Sequence, residues 1–406
     1  MKKNSINELA INGGKPVRQK PLPSRRVFGE FELDMVKRVF EDSWNSGIDF
    51  GYQGKFEEEF TGKFCEFQGG GFADAVSSGS SAVYLALKAL DIKPGSDVIV
   101  SPVSSPGGIM PVALQDIKLI IPDSAPNSFN VSPEEFEKSI TPKTRAAVLT
   151  HLGGHAIDLD PISEIAKSKG IKIVEDFSHA HGATYKGKKV GNFSDIAAAS
   201  TMFSKTLSSG ANGGIIYTRK EELYRKVRSL ADRGKPFFEP NYNSKITTNY
   251  LYPALNHNSD ELSCAMGICS LSRLQNTIDK RYEIAKKIDN GLKNFSVVQP
   301  ANLELPNCKS SFFFHTVVVD ITKLKVSKVQ FANAIAAEGI AINSDFRDVT
   351  CEYKWIPKYV REYKKTPNSI NFRDKSFNIL FHEQFGDTEV EDIIRSIEKV
   401  EQFYAK

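Results

Sequence analysis

Two side chains of opposite charge are placed where chemistry can happen. The run Ile171-Lys172-Ile173-Val174 reads as a buried strand and ends in Glu175-Asp176. In open α/β sheets, ligands gather at the carboxyl ends of strands. Farther on, Lys205 closes the run Ser200-Thr201-Met202-Phe203-Ser204-Lys205 and is followed by Gly210-Ala211-Asn212-Gly213-Gly214. An amine set among apolar neighbours gives up its proton more readily than one in water, and so becomes a nucleophile. Taken alone, neither residue is diagnostic. Asp176 also reads as a cap or ion-pair partner, and Lys205 as a solvated surface charge.

A third feature bears on both. Val76-Ser77-Ser78-Gly79-Ser80-Ser81 joins an apolar strand to a helix. Free N–H groups at the helix start, serine hydroxyls and the helix dipole together attract a phosphate, although the same residues also suit an ordinary N-cap. Ser200 is placed to add a hydroxyl. A nucleophilic lysine, a strand-end acid and a phosphate cradle are what pyridoxal phosphate (PLP) needs. The lysine bonds its aldehyde, and the acid keeps the ring nitrogen protonated so that the ring withdraws electrons.

These residues need a scaffold that brings strand ends together. Short apolar runs at 73–76, 97–101, 117–121, 145–151, 171–175, 196–200 and 214–218 read as strands. They alternate with helical patterns at 80–90, 133–140, 161–169 and 221–230. Such alternation implies an α/β fold with a mostly parallel central sheet flanked by helices. Before it stand a Pro-containing basic arm at 1–30 and two amphipathic helices, from Glu30 and near 56–64. A long helix with room for a break runs from Ser259 or Asp260 to about Leu292. A strand at 312–319 and helices at 328–338 and 389–403 complete a smaller α+β unit. The expected division is an arm at 1–30, a large cofactor-binding domain at 31–258, and a linking helix with a small domain at 259–406.

Composition narrows the class further. The chain has 406 residues, 40% hydrophobic and 25% charged, with a net charge of +4. This is globular usage with no electrostatic footprint for nucleic acid. Five scattered cysteines give no disulfide framework and no zinc spacing, which fits free thiols in a reducing compartment. His151 and His155 flank Gly153-Gly154 off any helix, so no metal is expected there. No apolar run spans a membrane and the first ten residues are polar, so a soluble cytoplasmic enzyme is expected.

Ser78-Gly79-Ser80-Ser81-Ala82, the segment from Val174 through Glu175-Asp176-Phe177-Ser178-His179-Ala180-His181-Gly182-Ala183, and Phe203-Ser204-Lys205 with its trailing glycines resemble a known family. It is the DegT/DnrJ/EryC1/StrS group of sugar aminotransferases, fold-type I PLP enzymes. Trp44-Asn45-Ser46-Gly47, Gly187-Lys188-Lys189-Val190-Gly191 and Asn256 carry the likeness over most of the chain. The resemblance implies that Lys205 bonds the cofactor and then shuttles a proton, and that Asp176 pairs with the pyridinium. It also implies that Gly79, Ser80, Ser81 and Ser200 hold the phosphate and that His179 sits near the phenolic oxygen. Asn256 would reach the phosphate of a second subunit, in a homodimer with shared active sites. The implied amino donor is glutamate or glutamine. The implied acceptor is a nucleotide-linked ketosugar, in surface-glycan or antibiotic-sugar biosynthesis.

Two departures bear on the substrate. Ser105 stands where the family often stacks an aromatic residue on the ring. Asn256-His257-Asn258 replaces an Asn-Tyr-Arg motif, which leaves Arg233, Arg347 or Lys235 as candidate substitutes for the arginine. Three other outcomes stay open: a cyclitol or other non-nucleotide ketone as acceptor, a PLP-dependent sugar dehydratase, and a non-catalytic PLP-binding regulator. In the dehydratase branch a histidine replaces the lysine, so Lys205 speaks against that outcome.

Overall fold

The computed structural model describes residues 8–406; residues 1–7 of the expected arm lie outside them. Two helices open the fold, α1 (Glu30–Ser46) and α2 (Lys55–Gln68). The alternating region follows as β1 (Phe72–Val76), α3 (Gly79–Ala89), β2 (Asp97–Val100), α4 (Pro106–Ala113), β3 (Lys118–Ile120), α5 (Pro133–Ser139), β4 (Thr144–Thr150), α6 (Leu159–Ser168) and β5 (Lys172–Asp176). A small hairpin, β6 (Thr184–Tyr185) with β7 (Lys188–Lys189), precedes β8 (Ile196–Ser200), β9 (Gly214–Thr218) and α7 (Glu221–Ala231).

Seven of these strands form one sheet in the order β1-β9-β8-β5-β4-β2-β3. Strand β9 runs antiparallel to both neighbours, while the β2/β3, β2/β4, β4/β5 and β5/β8 pairings are parallel. The expected mostly parallel sheet is therefore present. Its strands are apolar on both faces because helices cover both. One face carries Ile173, Ala197 and Leu149 against Phe60, Phe64 and Ile162. The other carries Val174, Ala198 and Val148 against Val83, Ile109 and Val227.

Beyond α7 the chain forms α8 (Glu261–Ser272) and α9 (Leu274–Leu292). The long helix expected here, with room for a break, is two helices parted at Arg273. Cys264, Ile268 and Leu271 of α8 join the large core, whereas Ile284, Ile288 and Leu292 of α9 join a second core. That second core also takes side chains from β10 (Val298–Pro300), β11 (His315–Val319), α10 (Lys328–Ala337), β12 (Ile342–Asn343), α11 (Pro367–Asp374), β13 (Ser376–Ile379) and α12 (Asp387–Tyr404) or packs beside them. The smaller sheet is antiparallel, in the order β10-β11-β13-β12.

The arm is extended but closely held. The N–H groups of Ala10 and Val17 each donate to the Glu338 carboxylate, both at 2.9 Å. Arg18 pairs with Asp392 at 2.9 Å and with Glu389 at 3.0 Å. The arm therefore belongs physically to the small body, although it precedes the large one in sequence.

Candidate active site

The β1–α3 connection builds one wall. Ser78 caps α3, its hydroxyl accepting the Ser81 N–H at 3.0 Å. This leaves the N–H groups of Gly79 and Ser80 at the helix start without intrahelical partners. A Cβ on Gly79 would come within 2.5 Å of the Ser200 Cβ, so only glycine lets α3 begin against the end of β8. The Ser200 N–H donates to the Ser178 hydroxyl at 2.8 Å, which ties the end of β8 to the turn after β5.

Asp176 ends β5. One carboxylate oxygen accepts the Ser178 N–H at 3.0 Å and the other is 3.4 Å from the Thr150 hydroxyl. A Cβ on Gly108 would lie 2.9 Å from that second oxygen, so glycine is what lets α4 close over the acid. The helix α4 was not legible in sequence, since Pro106, Gly107, Gly108 and Pro111 read as breakers; Pro106 in fact sits in its first turn, where proline is tolerated.

Lys205 lies in a turn beyond β8, 7% exposed, with Nζ 4.6 Å from the centre of the Phe313 ring. Burial drives its amine down to about 8, against the opposing pull of the Asp176 and Asp348 charges. Asp348 is a residue that the sequence did not point to. Its backbone carbonyl accepts the Ser104 N–H at 3.0 Å and its carboxylate accepts the Tyr353 hydroxyl at 3.1 Å. Burial raises its carboxyl, against the Tyr353 bond and the Lys205 charge.

Lys205, Asp176, Gly79, Ser80 and Ser200 line one cavity of about 230 Å³, together with Ser78, Ser105, Gly107, Gly108, Ser178, Met202 and Asn212. Three expected residues do not line it. Ser81 sits behind the cradle, its hydroxyl bonded to Ser77, Ser78 and His257. His179 stacks on Phe313 with centroids 4.2 Å apart, so it and the lysine amine share one aromatic neighbour. Burial, then the Lys205 and His181 charges, hold its imidazole far below the usual range. Asn256 is exposed and accepts from the N–H and side chain of Asn258.

None of the candidate substitutes for the missing arginine lines the cavity. Arg233 donates to the Tyr52 hydroxyl, Lys235 pairs with Asp232 and Arg347 with Asp345. His151 is 3.0 Å from Glu175 and His155 is 2.8 Å from the Ser310 hydroxyl. No helix among the described residues is long and apolar enough to cross a membrane.

Comparison with known proteins gives the family and agrees with the fold. Residues 29–398 match the model of the DegT/DnrJ/EryC1/StrS aminotransferase family. The spore coat polysaccharide biosynthesis protein SpsC of Bacillus subtilis is 27% identical over 92% of this chain and 95% of its own length. GDP-perosamine synthase of Escherichia coli O157:H7 is 27% identical over 92% and 96%. The X-ray structure of the aminotransferase from Psychrobacter cryohalolentis superposes with a TM-score of 0.86 at 25% identity, covering 95% of this chain and 99% of that one. With the family model spanning nearly the whole fold, this chain belongs to the PLP-dependent DegT/DnrJ/EryC1/StrS aminotransferase family.

Proposed function

We propose that this chain moves an amino group from an amino acid, glutamate or glutamine, to the keto group of a nucleotide-linked sugar during surface-glycan or antibiotic-sugar biosynthesis. The observation that carries the reading is Lys205. Its amine is buried, held at about 8, and borders the same cavity as Asp176 and the Gly79 cradle. GDP-perosamine synthase, a relative over almost the full chain, points to a nucleotide-linked acceptor.

The residues present fit PLP. The Gly79 cradle, which a Cβ would fill, offers two helix-start N–H groups and the Ser80 and Ser200 hydroxyls to a phosphate. When bound, PLP supplies an aldehyde carbon and an electron-withdrawing ring. Lys205 Nζ, neutral in a large fraction of molecules near its own pKa, is the nucleophile toward that aldehyde. With PLP held there and the incoming amino donor in place, the freed Nζ would take a proton from the donor carbon and deliver it to the former aldehyde carbon. Asp176 would hold a proton on the ring nitrogen. His179, neutral and stacked on the lysine's ring neighbour, would orient Phe313. Ser105 leaves the mouth of the cavity without an aromatic cover, which leaves room for a bulky acceptor.

A second subunit would meet exposed apolar side chains at α1. Phe31, Trp44 and Ile48, at 54%, 74% and 72% exposure, lie on and just after α1. Burying such side chains against another copy is their expected use. Asn256, exposed and outside its own chain's cavity, would then serve the partner's phosphate.

The test is direct. Protein incubated with excess PLP and reduced with borohydride is expected to carry the cofactor on the peptide containing Lys205, and its visible absorbance is expected to bleach on adding glutamate or glutamine. No adduct at Lys205 sinks the reading. Aminated product from cyclitol ketones but not from nucleotide-linked ketosugars would redirect the acceptor. Loss of a sugar hydroxyl with release of ammonia would mark a dehydratase.

A further inference from the structure

Lys205 sits in an irregular turn, and the turn alone does not hold it. Its N–H donates to the Met202 carbonyl at 2.9 Å. Its own carbonyl takes no backbone N–H among the described residues; the donor that reaches it is the Arg25 guanidinium, at 2.9 Å. The same guanidinium lies 3.5 Å from the Phe203 carbonyl. A largely buried carbonyl needs such a partner, and here it comes from a residue far away in sequence, on the N-terminal arm.

Arg25 is not free to wander. Its Nε donates to one oxygen of Glu383 at 2.9 Å, and the other oxygen of Glu383 accepts the Arg281 Nε at 3.0 Å. Arg281 then donates to the Phe312 carbonyl at 3.0 Å and lies 3.4 Å from the Phe313 carbonyl. One carboxylate thus fixes two guanidinium groups. One grips the backbone of Lys205, and the other grips the backbone beside the ring over which the Lys205 amine lies. Planar forks suit this use, because each can bond a carboxylate and a carbonyl together. The arm is itself pinned nearby, with the Pro23 carbonyl bonded to His382 at 3.0 Å and the Val27 carbonyl accepting from Arg273.

We infer that Arg25, braced by Glu383, is a positioning residue for Lys205, so that the N-terminal arm is a working part of the active site and sets the burial of the lysine amine. This inference rests on the reading of Lys205 as the reactive amine. Without Arg25 the turn loses its outer tie, the amine leaves its niche over Phe313, and water reaches it. The charged groups that face the amine are Asp176 and Asp348, with His179 and His181 on the strand-end turn. The Arg25 charge acts on His181 from the arm. A change at Arg25 leaves these four side chains in place and removes, besides the tie on the turn, only the charge that acts on His181.

The experiment reads the amine rather than turnover. The full chain, without added cofactor, is labelled with a trace amine-reactive reagent across a pH series, and the Lys205 peptide is quantified by mass spectrometry. Wild type should show a midpoint near 8. Arg25→Ala should move that midpoint upward by about one pH unit, toward the ordinary lysine range. Arg25→Lys, which keeps a donor and a charge, should recover part of the difference. If Arg25→Ala does not fold, Arg25→Gln takes its place. A folded Arg25→Ala or Arg25→Gln chain with an unmoved midpoint overturns the inference, even if its thermal stability falls. If the midpoint moves but wild type forms no reducible adduct with PLP, the arm's role stands and the cofactor reading fails.

Discussion

Glu175 and Asp176 are neighbours on β5, and strand alternation sends them to opposite faces of the sheet. Glu175 enters the face packed by α2, α6 and α8. There it accepts from Gly191 N–H at 2.7 Å and Phe193 N–H at 2.9 Å and lies 3.0 Å from His151. Burial alone would raise its carboxyl, but the bonds from His151 and the backbone hold it below the ordinary value. Asp176 enters the face packed by α3, α4 and α7. It takes one good bond, from Ser178, and borders a cavity. The two acids are equally hidden and differ in what is left over. A buried charge with every bond internal is a brace between strands, whereas one with a side open to a cavity is available to a ligand.

Breaking the contrast begins at the group that Asp176 faces. Lys205→Ala should abolish the borohydride-trapped adduct and lower transamination by at least ~10³-fold, since it removes nucleophile and proton carrier together. A variant that still yields adduct on another lysine would move the centre of the site. The next test separates the two acids. Asp176→Asn should lower turnover by ~10²-fold or more with little change in thermal unfolding. Glu175→Gln should instead cost about 1–3 kcal/mol of stability while leaving turnover per folded molecule within a few-fold. If the two effects were interchanged, the division between brace and site would be wrong.

The last test concerns the energy stored in the lysine. Its folded pKa, about 8, lies below the ordinary 10.5. The unfolded chain therefore binds more protons between these values, and stability rises with pH through that window. Below about pH 8 the full cost of burying the charge is present. Lys205→Met, free of cofactor, should unfold later than wild type at pH 7, by on the order of 3 kcal/mol. The advantage should shrink as the pH climbs from 8 toward 10.5. Equal stability of the two chains at pH 7 would mean that the amine is not held under strain.

The sequence displays what is local and hides what is folded together. Asp176 ends an apolar run, Lys205 precedes glycines and Gly79 opens a helix, so each was legible from its immediate neighbours. Ser81 and His179 were legible as neighbours of the site but not as residues one layer behind it, because a helix cap and an aromatic stack decide which way they turn. Asp348, Phe313 and Arg25 carry no local signature. They reach Lys205 only because the small body and the arm close over the large one. A break in the long helix was allowed for, but its place at Arg273 was not legible; the change from one core to the other marks it.

The pinned arm also dictates an order of events in the making of the molecule. Arg18 waits for Asp392, 374 positions later, and Ala10 waits for Glu338, 328 positions later. During synthesis, the strands that carry Asp176 and the turn that carries Lys205 can assemble as soon as they emerge, since domains form as units from the N-terminal side. Arg25 cannot settle on Lys205 until Glu383 has left the ribosome. The Lys205 amine is therefore tightened late, and a chain cut short before its final helices would carry every local motif and still hold its lysine loosely.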